Sequence, residues 1–342
     1  MLIIRPIGHN DLDGLFELAK KAGTGFTSLP VDKGVLAEKI EGAIRSFSGQ
    51  EMSQNDYFLL VMEDLETGKI VGTSAAYAKT GSREAFYAYR LMSVTHYSHS
   101  LHKETRSSLL HLTNDYTDCS EVGTLFLDPA YRGNGHWLSR SRYMLMAQQL
   151  HRFAPDVIAE LRGWMDEKNE SPVWNAIGAH FFEMTFDEAD RLSGTGSNQF
   201  ITELMPKYPI YTNLLPAEAR DALGKPNDAG VRAMELLLEE GFEYEGLVDI
   251  FDGGPLVRGR IKELASVRSA KKGSAEIDSG ISLETSLETS LEKKNFMVAN
   301  QSLKDFRLVF QPASCIDNKI KIAADALEAL NVKPGDEIMA MG

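Results

Sequence analysis

The chain has 342 residues and a formal net charge of −13 at pH 7, with 43% hydrophobic and 25% charged residues, the balance of a soluble globular protein of two or three lobes. Its acidity argues against a nucleic-acid partner and favours a cationic small substrate, and no run of about 18 apolar residues marks a membrane span. The N-terminal residues lack the basic-then-apolar order of a secretory signal. Cys119 and Cys315 are far apart without metal or redox spacing, so a cytoplasmic protein with reduced thiols is expected.

Leu2 to Ile7 reads as a strand, and Asn10-Asp11 as the N-cap of an amphipathic helix through Leu12, Leu15, Phe16 and Ala19 that Gly23-Thr24-Gly25 ends. A second helix is expected over Val35–Phe47. Strands at Tyr57–Met62 and Lys69–Tyr77 are joined by the hairpin signal Glu66-Thr67-Gly68, and Phe86–Leu91 alternates as a third strand. After a long helix following residue 133, Val157–Arg162 is a strand, and Ser171-Pro172 starts a helix with a hydroxyl cap and proline at the first position. A loop over Leu192–Asn198 leads into Phe200–Pro206, then a helix over Val231–Glu240 and a strand over Glu245–Phe251. Composition shifts near Ser269, and residues 282–292 repeat Ser-Leu-Glu-Thr, which reads as a linker or insertion. A strand at Phe306–Gln311, a short helix at Ala323–Leu330 and a final strand suggest a small β-rich lobe.

The most informative stretch runs from Cys119 to Leu150: an apolar strand (Val122–Leu127), a polar turn with Gly133 and Gly135, and an amphipathic helix. Unpaired first-turn N–H groups and the positive end of the helix dipole make such a junction a phosphate cradle, and glycine lets the backbone approach a ligand closely. A P-loop needs a lysine followed by Ser or Thr after its second glycine, and a dinucleotide turn needs a third glycine; neither is present. The flanks carry the third reading. Leu125 to Gly135 resembles the acyl-CoA-binding motif of GNAT-type N-acyltransferases, in which loop amides hold the CoA pyrophosphate and the strand edge pairs with the pantetheine arm. Trp137 stands where that pattern has its last small residue, so the turn is expected to differ slightly.

The likeness extends along the chain. Arg5-Pro6, Thr27–Pro30, Tyr87–Arg90, Glu121–Pro129, Ser171–Trp174, Phe181–Met184, Glu203–Tyr211 and Asp249–Pro255 resemble arginine N-succinyltransferases, in order and with similar spacing. This implies an α/β (α+β) fold of GNAT type, a mixed, largely antiparallel sheet flanked by helices. Residues 1–165 would bind acyl-CoA, 166–268 would complete the acceptor site, 269–295 would be the linker and 296–342 the C-terminal lobe. The resemblance further implies succinyl transfer from succinyl-CoA to the α-amine of arginine, or of ornithine, in arginine catabolism, without a metal, in a homo- or hetero-oligomer. Cofactor contacts would fall on Leu125, Phe126 and Leu127, and on Arg132, Gly133, Asn134 and Gly135. The family's proton-donor histidine lies in a Gly-x-x-His-Pro stretch; here Gly224–Asp228 places Asn227 at that position. Asn227 motivates a rival reading, a catalytically weak structural or regulatory subunit. Another amine substrate is the third.

The chemistry asks for a base, since an α-amine with a pKa of about 8 is mostly protonated at neutral pH. Glu160 is the first candidate and Glu121 the second. N–H groups of the Leu125–Leu127 strand could hold the oxyanion. Arg90 and Arg162 could fork onto the succinyl carboxylate, each being equally able to sit in a structural salt bridge. Asp249 and Asp252 could receive the substrate guanidinium, and Tyr211 is an alternative acid. His96, His99 and His102 are spaced by three, without a metal-site pattern.

Overall fold

The computed structural model describes residues 1–23, 26–82, 85–195, 203–278 and 294–342. Its strands are β1 (Leu2–Pro6), β2 (Tyr57–Asp64), β3 (Lys69–Tyr77), β4 (Ala88–Ser98), β5 (Lys103–Thr113), β6 (Ser120–Leu127), β7 (Asp156–Glu160) and β8 (Ile210–Tyr211). They continue with β9 (Glu243–Val248), β10 (Pro255–Arg260), β11 (Lys271–Ile277), β12 (Lys294–Asn300), β13 (Leu308–Ile316), β14 (Lys319–Ile322) and β15 (Glu337–Met341). All join one sheet in the order β12-β15-β11-β14-β13-β1-β2-β3-β6-β7-β10-β9-β4-β5-β8. Its pairs are antiparallel except β6–β7 and β11–β14.

Local chemistry explains the elements. Helix α1 (Leu12–Ala22) buries Leu15, Leu18 and Ala19. Asp32 caps α2 (Lys33–Ser48), its carboxylate accepting the Gly34 and Val35 N–H groups at 2.7 and 3.0 Å, and Gly49 ends the helix at φ 68°. Tyr57 through Met62 of β2 are buried without a break, because the sheet is covered on both sides there. Tyr57, Leu59 and Val61 meet α1 and α2. Phe58, Leu60 and Met62 join the core beneath α3 (Gly135–Gln148), with Trp137, Leu138 and Met144. Tyr77 is in register with Glu121, and Glu121 with Ile158, so Glu121 and Glu160 project on the α1/α2 face. Val157 and Ala159 point the other way, into the α3 core.

The C-terminal lobe is a closed ring. β12 pairs with both β15 and β13, so β12, β15, β11, β14 and β13 enclose Ala275, Val298, Ile320, Ile322, Leu330 and Ile338. β13 also pairs with β1, which joins the ring to the main sheet.

Several expectations shift. β11 occupies 271–277, within the stretch assigned to the linker; its inward residues Gly273 and Ala275 are small, so the sequence carries little apolar signal. The helix Phe186–Thr195 runs through residues expected to begin a loop. Phe86 and Tyr87 precede β4, and β4 and β5 extend as a hairpin of 11 residues a side through the histidine-rich stretch. Thr24 and Gly25, the rest of the Leu192–Asn198 loop from residue 196, the strand start at 200–202, and the Ser-Leu-Glu-Thr repeat lie outside the described residues. Among the described residues, no helix is long and apolar enough to cross a membrane.

Candidate active site

The turn between β6 and α3 is built by its own side chains. Asp128 receives the Ala130 N–H at 3.0 Å and pairs with Lys21 of α1, and Gly133 takes φ 99°, a value that glycine reaches without strain. The Asn134 amide donates to the Tyr131 carbonyl at 2.9 Å, and its oxygen accepts the Trp137 indole N–H at 3.1 Å. The Leu138 N–H closes onto the Asn134 carbonyl, leaving the amides of Gly135, His136 and Trp137 as the open first turn of α3. Trp137 does not crowd this turn. Its indole is 2% exposed and stacks on Phe310 of β13 at 5.6 Å between centroids, so it braces the loop from below. Arg132 is exposed beside the open amides, and His136 bonds the Gly133 carbonyl at 3.1 Å.

β6 and β7 part company immediately. They pair only at Ser120–Val157 and Glu121–Ile158, and the rest of that edge of β6, through Leu127, meets no β7 partner. A bulge sits in the parted region, where the β3–β6 register shifts between Thr73 and Ala75. Thr124 there takes φ 50°, an outlier for a β-branched residue, with its hydroxyl 3.2 Å from that of Tyr77. The bulge re-aims the backbone at Leu125, between Thr124 and the paired Phe126. Leu125 and Leu127 pack toward the α3 core, and Phe126 toward α1 and α2. An extended ligand can therefore enter between the strands and pair with β6.

Carboxyl groups gather on the α1/α2 face of this opening. Glu160 is exposed at the end of β7, with its carboxyl group set among those of Asp249, Asp252 and Glu121. Burial pushes its carboxyl up to about 7, against the pull of a hydrogen bond from Asp249 and with the negative charges of Glu121, Asp252 and Asp190 adding to the rise. Asp249 is raised well above its ordinary range by burial and by Glu160. It also receives the Phe251 and Asp252 N–H groups at 2.7 and 2.8 Å, which folds the β9–β10 turn. Asp252 is 5% exposed, is raised to about 8 by burial and by Asp249, and accepts the Gly254 N–H at 2.8 Å. Gly254 and Gly163 let this turn close onto the end of β7, for a Cβ on Gly254 would lie 2.0 Å from the Leu161 carbonyl. Glu121, half-buried, is pushed up to about 7 by burial, partly offset by Lys39 of α2.

The structure distributes the other candidates. Arg162 leaves the end of β7 toward Asp190 at 3.0 Å and lies over the Phe186 ring, beside the carboxyl group of Asp252 at 4.0 Å. Arg90 lies on the same sheet face as Glu160, across Leu256 and Leu247, roughly 14 Å away at three strand spacings. Both its forks bond Asp115, at 2.7 and 3.1 Å. Asn227 lies alongside the end of β7: its N–H bonds the Arg162 carbonyl at 2.8 Å, and Gly163 bridges Pro226. Its side-chain oxygen accepts the Gly230 N–H at 2.7 Å, capping the turn into the helix Val231–Glu240. Tyr211 lies on β8, paired with Leu109 of the hairpin, whose outer part carries the exposed His96, His99 and His102. No group of three or more metal-capable side chains occurs among the described residues. Lys39, Tyr57, Tyr77 and Thr124 escaped the sequence reading. Only the fold brings α2, β2, β3 and β6 together at the opening.

Comparison with known proteins follows the same lines. The family described as "Arginine N-succinyltransferase beta subunit" matches residues 2–266, and its C-terminal domain matches residues 283–342. The chain belongs to the arginine N-succinyltransferase family. Relatives named arginine N-succinyltransferase in Escherichia coli and Shigella flexneri are 38% identical over 340 residues, covering 99% of this chain and 96% of theirs. The structure described as arginine/ornithine succinyltransferase subunit AI from Pseudomonas aeruginosa superposes with a TM-score of 0.88 at 31% identity, over 99% of this chain and 98% of that one. The fold mixes helices with a largely antiparallel sheet, and the relatives' names make the family one of acyltransferases.

Proposed function

We propose that the chain transfers the succinyl group of succinyl-CoA to the α-amine of arginine. The observation that carries this is the opening between β6 and β7, with the Thr124 bulge on β6 and the raised carboxyl group of Glu160 on β7. The pyrophosphate would rest on the open amides of α3, with Arg132 beside it, and the pantetheine arm would pair with β6 through Leu125 to Leu127. The thioester carbonyl then reaches the re-aimed N–H at the bulge, which can hold the oxyanion.

Glu160 takes the proton from the α-ammonium, directly or through one water; a carboxyl group near 7 is matched to that task at neutral pH. The freed nitrogen bonds the acyl carbon, the tetrahedral centre collapses as the nitrogen gives its second proton to solvent, the C–S bond breaks, and the sulfur leaves as thiolate. Asn227 supplies no proton, and its oxygen is committed to Gly230. The CoA thiolate is a good enough leaving group to depart without a protein acid and be protonated by solvent. Arg162 is the candidate for the succinyl carboxylate and Asp252 for the guanidinium, since Asp249 is committed to the Phe251 and Asp252 N–H groups and to Glu160. By the same likeness the chain is one subunit of an oligomer.

The test mixes purified protein with succinyl-CoA and arginine and follows thiol release. Turnover is expected, faster than with acetyl-CoA. Saturable CoA binding without turnover would overturn the enzyme reading in favour of a structural subunit.

A further inference from the structure

Lys39 lies in an unusual place for a lysine. It is half-buried beside the inward stripe of α2, next to Ile40, with its ammonium 5.5 Å from the centre of the Tyr57 ring. Burial pushes its pKa down, and the charge that offsets this is Glu121. The two are not in contact, for no ion pair within 4.0 Å joins Lys39 to any carboxylate among the described residues. Half-burying an ammonium without a hydrogen-bonded counter-charge is unfavourable, unless another molecule supplies one. Two other cations considered for the site already hold carboxylates: Arg162 holds Asp190 and Arg90 holds Asp115.

Glu121 faces this ammonium from β6. One of its oxygens lies 3.7 Å from where a Cβ on Gly123 would stand, with the Tyr77 ring at 3.4 Å, so glycine keeps the backbone beside the Thr124 bulge uncovered by a side chain of its own. The Tyr57 hydroxyl, buried near those of Tyr77 and Thr124, makes no hydrogen bond of good geometry. A cation, a carboxylate and the hydroxyl groups of Tyr57, Tyr77 and Thr124 thus lie around the Thr124 bulge, next to the proposed acyl carbon. An α-amino acid carries an ammonium and a carboxylate on one carbon, and fits between a Glu and a Lys that face each other without touching.

We infer that Lys39 binds the α-carboxylate of the acceptor amino acid, with Glu121 opposite facing its ammonium, and thereby selects amino acids over simple amines. This rests on the acyl-transfer reading above and adds a specificity residue to it. The acyl chain of succinyl-CoA also ends in a carboxylate, so the test separates the two sources.

Wild type, Lys39→Met and Lys39→Arg are assayed with arginine and with agmatine, which is arginine without its carboxylate. Lys39→Met is expected to lower kcat/KM for arginine by about 10- to 100-fold, mainly through KM, and to lower it far less for agmatine. Lys39→Arg keeps the preference for arginine. If Lys39→Met fails to fold, Lys39→Gln replaces it. Calorimetry of arginine and agmatine binding to the CoA complex gives the same comparison without turnover, so an inactive protein would overturn the acyl-transfer reading and still leave Lys39 tested. An unchanged arginine-to-agmatine ratio in Lys39→Met overturns the inference. So does a collapse of the succinyl-CoA to acetyl-CoA ratio instead, which assigns Lys39 to the acyl carboxylate.

Discussion

Glu160 and Asp249 share a hydrogen bond on a face already crowded with negative charge, so the two titrate as a pair. Asp249 holds the proton and donates it toward Glu160, which lowers the Glu160 value from where burial alone would put it. The rate should therefore rise with pH through about 7 as Glu160 loses its proton. Glu160→Gln is expected to cost about 10²- to 10⁴-fold in kcat/KM and to abolish this acid limb. Asp249→Ala removes the donor and should move the limb to higher pH, whereas Asp249→Asn, whose amide still donates, should hold it near its place. An unmoved limb in Asp249→Ala would refute the coupling. Stability runs the opposite way. Raised from 4.5 to about 7, the carboxyl group stabilises the fold fully below pH 4.5, and that contribution fades as pH climbs through 7. Glu160 was legible as an acid at the end of a short strand beyond the motif helix. Lys39 was not: nothing in the spacing of α2 separates it from the solvated lysines around it until Tyr57 and Glu121 are placed against it.

The β6–α3 junction shows what an element can hide. Gly133 and Gly135 announced a ligand-binding turn, and the strand, turn and helix appear where those residues put them. Trp137 read as an obstruction because the motif expects a small residue there. In the fold it buries its ring against Phe310, and its N–H holds Asn134, which in turn holds the Tyr131 carbonyl. Trp137→Phe keeps the packing and removes the N–H. It should weaken CoA binding about 3- to 10-fold by calorimetry, with a melting temperature close to wild type. Equal affinity in wild type and variant would show that the turn holds its shape without the indole bond. Asn227 has a similar lesson: where the family sequence pattern pointed to a proton donor, the local backbone needs a cap, and asparagine is among the best residues for one. β11 went unread for a simpler reason, since its inward positions are glycine and alanine.

Taken whole, the sequence division near residue 270 is not a mechanical one. β1 lies between β2 of the acyl-CoA-binding half and β13 of the C-terminal ring, with Ile3 and Ile4 in register with Val309 and Leu308. Removing residues 294–342 would strip β12 to β15, expose the outer edge of β1 and take Phe310 from Trp137. The shortened chain should aggregate and lose CoA binding, by size-exclusion chromatography and calorimetry. A soluble truncated monomer with wild-type CoA affinity would contradict this. The same seam sets a schedule for the ribosome. β1 is made roughly 300 residues before its partner β13, which is about 15 to 60 s at ordinary rates of synthesis. For that interval the nascent protein carries an unpaired strand edge on β1, and a premature stop before β13 would leave it unpaired for good.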